Sequence, residues 1–179
     1  MMSTLRTIPA IASTLLLLAQ PAHAEVVGTP DASGFTVAGE VAAAAAPAQT
    51  WASLITIGSW WSSAHSWSGN AANMTLEPRA NGCWCEAMPN GGSIQHGRVI
   101  AFVPGDRLLL DAALGPLQSM PVNGRLEWRL VPHESGGTTI RYRYQIWGQV
   151  PGDPAALARG VDAVMAEQAR RLAGSLAAQ

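Results

Sequence analysis

Two segments near the C-terminal end alternate strictly. Leu126, Trp128 and Leu130 fall on one side of an extended chain, and Arg125, Glu127 and Arg129 on the other. Ile140, Tyr142, Tyr144 and Ile146 oppose Arg141, Arg143 and Gln145 in the same way. A period of two with one apolar and one charged side describes antiparallel sheet that is covered on one face and wet on the other. The cover follows in the sequence. Asp153 and Pro154 open a helix with a cap residue and a first-turn proline. Leu157, Val161, Val164, Met165, Gln168, Leu172 and Leu176 then form one stripe along it.

Upstream, residues 34–46 read as a strand that runs into alanines. Pro47 begins a short helix with Trp51, Leu54 and Ile55 at helical spacing, and Gly58 stops it. A second short helix is expected around Trp60 and Trp61. Strands follow over 72–77, 83–88, 94–103 and 107–114, with Asn90-Gly91 as a hairpin turn and 115–121 as a loop. The expected fold class is α+β. A curved antiparallel sheet of about six to seven strands wraps around the long C-terminal helix, with two short helices after the first strand.

The N-terminal segment has a different character. Arg6, an apolar run from Ile8 to Leu18, and small residues at Ala22 and Ala24 match a secretory signal cleaved after Ala24. The run is short for a membrane span, and no second apolar stretch is long enough to cross a bilayer. The expected organisation is a cleaved signal over 1–24, a flexible lead-in over 25–33 and a single domain over 34–178. Such a protein is periplasmic or secreted. The chain has no lysine, and its charge is −1 overall. No basic patch points to nucleic acid.

Several motifs, in their order and spacing, are similar to those of a known superfamily. They are Thr50-Trp51 with Leu54, Trp60-Trp61, Leu76 to Glu86, His96 to Val99, and Pro104 to Leu108. Over residues 35–176 the chain resembles the START-like helix-grip superfamily (SRPBCC). Within it, the chain resembles the branch that holds the C-terminal domain of the activator of heat-shock protein 90 ATPase. The resemblance implies a helix-grip fold with a cavity between sheet and helix. It implies no single activity, since such relatives bind apolar molecules, cyclise polyketides or bind chaperones. Two positions depart from the pattern. Cys83 and Cys85 stand where an arginine or similar residue is common. Val161, Val164 and Met165 stand where the last helix often opens with a tryptophan.

Five of the seven tryptophans lie between positions 51 and 84. Buried indoles need apolar neighbours and a partner for the N–H. They are expected to be distributed. Trp51 pins the first helix, Trp60 and Trp61 close one end of the cavity, Trp84 lies on the strand beside it, and Trp67 falls near the loop carrying His65. The expected cavity lining is Trp60, Trp61, Trp84, Leu126, Trp128, Tyr142, Tyr144, Val161, Met165 and Leu172. The alternative is that these residues simply fill the core.

Cys83 and Cys85 share one face if their strand is extended, with Cα atoms about 6.5–7 Å apart. That is at or beyond the upper edge for a disulfide, so a bridge requires a bulge or strain. Counting from the Asn90-Gly91 turn places His96 opposite Cys85 and Arg98 opposite Cys83. With His65 approaching from its loop, two thiolates and two imidazoles would suit zinc or copper. Disulfide, metal site and small buried hydrophobes all stay open. No nucleophile elbow, phosphate loop or dinucleotide fingerprint is present.

The function expected is that of an exported protein that binds a small hydrophobic or aromatic molecule, or a lipid, without transforming it and without requiring a cofactor. The first alternative is a cyclase-like enzyme using Glu86, Tyr142, Tyr144 or His96 as acid–base groups. The second is a protein-interaction module resembling a co-chaperone.

Overall fold

The computed structural model of the protein describes residues 23–133 and 136–177. The chain runs β1 (His23–Asp31), β2 (Gly34–Ala43), α1 (Pro47–Ile55), then β3 (Met74–Leu76), β4 (Cys83–Ala87), β5 (Ser93–Val103), β6 (Arg107–Asp111), β7 (Val122–Pro132), β8 (Thr138–Gly148) and α2 (Pro154–Ala177). One curved antiparallel sheet holds all eight strands in the order β1-β2-β8-β7-β6-β5-β4-β3. This is the α+β architecture that the periodicities predict, with α2 as the cover of the sheet.

The alternating segments behave as their pattern requires. Leu126, Trp128 and Leu130 on β7 and Ile140, Tyr142, Tyr144 and Ile146 on β8 are buried. The register places Leu126 opposite Tyr144 and Trp128 opposite Tyr142. Arg129, Arg141 and Arg143 point to solvent. The β4–β5 connection passes through Asn90 and Gly91, both at positive φ (66° and 82°), a conformation these residue types favour. Asp153 caps α2: its Oδ1 accepts the N–H groups of Ala155 and Ala156 at 2.9 and 3.0 Å. Such a cap is worth about 1 kcal/mol.

Three expectations change. Residues 25–33 are not a flexible lead-in. They belong to β1 and its turn, paired with β2 from His23↔Glu40 to Val27↔Thr36. Val26, opposite Val37, packs against the core, and Asp31 Oδ1 fixes the turn by accepting the Ser33 N–H at 2.7 Å. The sheet therefore has eight strands, not six or seven. The second short helix is replaced by 3-10 turns over Ile57–Ser59, Ser63–His65 and Ala71–Asn73, and Trp60 follows the first of them. The signal-peptide expectation over 1–22 lies outside the described residues. No helix among the described residues is long and apolar enough to cross a membrane.

The tryptophans are not distributed singly. A chain of ring contacts runs from Tyr142 through Trp128, Trp60, Trp61 and Trp84 to His96, with centroid separations of 4.9–5.8 Å. Most contacts are edge-on or tilted, as ring quadrupoles prefer. Trp51 stands apart and packs on Phe102 of β5 at 5.1 Å. The aromatic chain ties β8, β7, the segment after α1, β4 and β5 into one wall.

Candidate functional site

The core is filled at one end and open at the other. Ala158, Met165, Ala166, Gln168, Ala169 and Leu172 of α2 are buried, whereas Leu157, Val161 and Val164 on the same helix are only partly covered. What they face is a cavity of about 570 Å³. Its walls come from α2, two loops and the sheet. Leu157, Gly160, Val161, Val164 and Met165 come from α2, residues 114–117 from the loop after β6, Trp61 with residues 64–67 from the loop after α1, and His96 and Tyr144 from β5 and β8. The volume is within the range of small-molecule sites.

Polar contacts hold the 60–68 segment over this space. Gln168 Oε1 accepts the Ser62 N–H at 2.8 Å, Arg171 Nε donates to the Trp60 carbonyl at 2.9 Å, and His65 Nε2 lies 3.2 Å from Glu167. Burial disfavours ionisation of Glu167, but the Ser62 hydroxyl, His65 and Arg171 outweigh it, so its pKa is lowered. Trp67, 49% exposed, stands at the mouth.

Glu86 on β4 anchors the same segment from below. It is fully buried, yet its Oε1 accepts the Ser68 N–H at 2.6 Å and its Oε2 accepts the Trp67 N–H at 3.1 Å. The imidazole Nε2 of His96 lies 2.8 Å from the same Oε2. Burial alone would raise the Glu86 pKa. Hydrogen bonds from Ser68, Trp67 and His96 more than offset it, so the pKa lies below the ordinary carboxylate value. The imidazole stacks on Trp84 with a ring separation of 5.2 Å and lines the cavity.

A β-bulge brings His96 here. Trp84 pairs with Gly97 and Cys85 with Gln95, so His96 is an extra residue in β5. It faces Glu86 and Trp84 rather than Cys85, while Arg98 does oppose Cys83. On the other face, Cys83 and Cys85 form a disulfide with Cα atoms 5.4 Å apart, and the register shift falls between Trp84 and Cys85. The four residues expected to ligate zinc or copper do not converge. The two sulfurs are bonded to each other, His96 is on the opposite face, and His65 pairs with Glu167. Among the described residues no group of three or more His, Cys, Asp or Glu side chains is arranged to hold a metal.

Of the lining residues expected from sequence, Trp61, Tyr144, Val161 and Met165 border the cavity. Trp60, Trp84, Leu126, Trp128 and Leu172 are in the filled core instead, each with its side chain almost wholly covered. Tyr142 is also buried away from the cavity, its hydroxyl lying against Gly39. The Tyr144 hydroxyl donates to the Ala112 carbonyl at 3.0 Å and accepts the Leu114 N–H at 2.9 Å. It is thereby committed to shaping the 112–114 wall. Burial raises the pKa of both tyrosines well above the ordinary phenol value. The loop wall at 114–117 and the mouth at Trp67 carried no periodicity that could reveal them.

No protein-family model matches the chain. A comparison with curated proteins finds no match. Solved structures do resemble it. A protein from Rhodobacter sphaeroides has a TM-score of 0.56 at 23% identity, covering 88% of this chain and 100% of that one. One from Bacillus thuringiensis has a TM-score of 0.57 at 13% identity, covering 79% and 98%. DynU16, from the dynemicin biosynthetic locus, has a TM-score of 0.56 at 19% identity, covering 82% of this chain and 48% of its own. At these identities the likeness is one of fold.

Proposed function

We propose that this protein binds a small apolar or aromatic molecule in the cavity between α2, the 114–117 loop and the 61–67 segment. One observation carries this reading. The core is closely packed around the aromatic chain but leaves about 570 Å³ open beside the partly covered residues Leu157, Val161 and Val164. A concave space of this size with mostly apolar walls and a few polar groups is the usual form of a small-molecule site. We further propose that the chain is a START-like helix-grip protein and that it is exported. The Cys83–Cys85 disulfide supports export, because such bonds persist in oxidising compartments.

The cyclase-like alternative draws on four groups. Of these, Tyr144 is committed to backbone partners, Tyr142 lies away from the cavity, and both Glu86 oxygens are engaged. Only His96 stays available, and holding a ligand is the role its surroundings favour. The test is native mass spectrometry of protein taken from its own compartment. A stoichiometric bound small molecule is the expected result. Protein that stays empty there and shows no thermal shift with a broad apolar library would refute the reading.

A further inference from the structure

The cavity wall contains few polar groups, and they are not equivalent. Among the described residues no arginine, lysine or carboxylate borders it. Tyr144 has both hydrogen-bonding capacities of its hydroxyl satisfied. His65 sits at the mouth, about one-third exposed, on Glu167. His96 is different. Its side chain is 4% exposed and clamped flat against Trp84, and one ring nitrogen is held by a buried carboxylate.

That clamp fixes the tautomer. Glu86 accepts a backbone N–H on each oxygen, an arrangement that favours the ionised carboxylate. Its lowered pKa agrees that it is ionised. Nε2 of His96 must therefore carry the hydrogen that points at Oε2, and in the neutral ring Nδ1 is left as an acceptor. Nδ1 has no protein partner among the described residues, and it is not one of the buried polar atoms sealed off without one. The ring itself borders the cavity.

We propose that His96 is the polar anchor of the ligand site, with Nδ1 as the nitrogen that faces it, and that the ligand is an apolar molecule carrying one hydroxyl that is neutral at physiological pH and a good donor: a phenol or an enol. This rests on the cavity being a binding site. The hydroxyl donates its hydrogen to Nδ1 while Nε2–H stays on Glu86. The arrangement suits a group that enters neutral. A permanent anion would have to shed its water in a wall with no fixed cation, at a cost that the neutral acid avoids. A ligand with no such hydroxyl would cover Nδ1 and leave a buried acceptor unpaired, which weakens its binding.

The experiment compares 2-naphthol, 2-naphthoic acid and 2-methoxynaphthalene as probes of the full protein at neutral pH, by fluorescence titration and absorption spectroscopy. Binding of 2-naphthol about tenfold or more tightly than both the ether and 2-naphthoate, which is an anion at neutral pH, is expected. Preferential binding of 2-naphthoate would overturn the assignment of a neutral hydroxyl. In His96→Phe, which keeps the stack on Trp84, the preference should vanish while the ether still binds. Equal binding of all three probes to the unmodified protein would overturn the anchor and leave the cavity reading standing. So would a 2-naphthol preference that survives His96→Phe. Failure of all three to bind would overturn both.

Discussion

Glu86 and His96, ten residues apart on adjacent strands, meet at 2.8 Å inside the protein because β5 carries one residue more than β4 at that point. The pair has two duties. Glu86 holds the Trp67 and Ser68 backbone over the cavity, and His96 borders it.

Glu86→Gln should lower stability by about 1–3 kcal/mol at neutral pH, since an amide NH₂ would then oppose N–H donors. The sign of the pH dependence follows from the depressed pKa. The folded value is below the ordinary 4.5, so the carboxylate's contribution is complete above about pH 4.5. It is lost as the pH falls through the lower folded value. Chemical denaturation of both proteins from pH 7 down to 3 checks this. The variant should show the shallower loss on acidification, and parallel curves would contradict the account.

Asp162 is the converse case. Burial and the nearby Glu25 raise its pKa, and its Oδ1 is sealed without a partner. A raised carboxylate opposes folding when ionised, so the penalty is present at neutral pH and fades as the pH falls. Asp162→Asn should stabilise the protein by a few tenths to about 1 kcal/mol at pH 7 and lose its advantage at acid pH. Thermal melts at both pH values measure it.

The Cys83–Cys85 bridge closes a very short loop. In the chain-entropy picture so short a loop contributes only about 1.5 kcal/mol. Cys83→Ser/Cys85→Ser should therefore remain folded, with a loss of no more than about 2 kcal/mol. Alkylation of the unreduced, denatured protein should label neither cysteine. Two labelled thiols would contradict the pairing.

What the sequence revealed depended on how local the signal was. The β7 and β8 faces, the Asn90-Gly91 turn and the Asp153 cap are each written in a few adjacent residues, and each is found as expected. Strand β1 was hidden because the Glu25-to-Pro30 stretch has little contrast between its faces, and its order comes from pairing with β2. The place of His96 was hidden because counting back from a turn assumes equal strand lengths. Gly97 was the available hint, since glycine within a strand often marks a bulge or close approach. A Cβ there would meet the Cβ of Ala112 and the carbonyl of Asp111 at 2.8 Å. The lining forecast erred toward Leu126, Trp128 and Leu172 because a periodic pattern tells which face is covered, not whether side chains or an empty space do the covering.

Gly160 offers the most direct test of the central claim. It lies on α2 at the cavity, and a Cβ built there meets no atom within 4 Å. Gly160→Ala should stabilise α2 by about 0.5–1 kcal/mol. Gly160→Phe should fill the cavity without harming the fold. The measurement is a 2-methoxynaphthalene titration of the wild-type protein and of both variants, alongside their melting curves. Saturable one-to-one binding by the wild type and Gly160→Ala, with binding lost in a fully folded Gly160→Phe, is the result predicted. Unchanged binding by a folded Gly160→Phe would contradict the claim that this cavity is the ligand site.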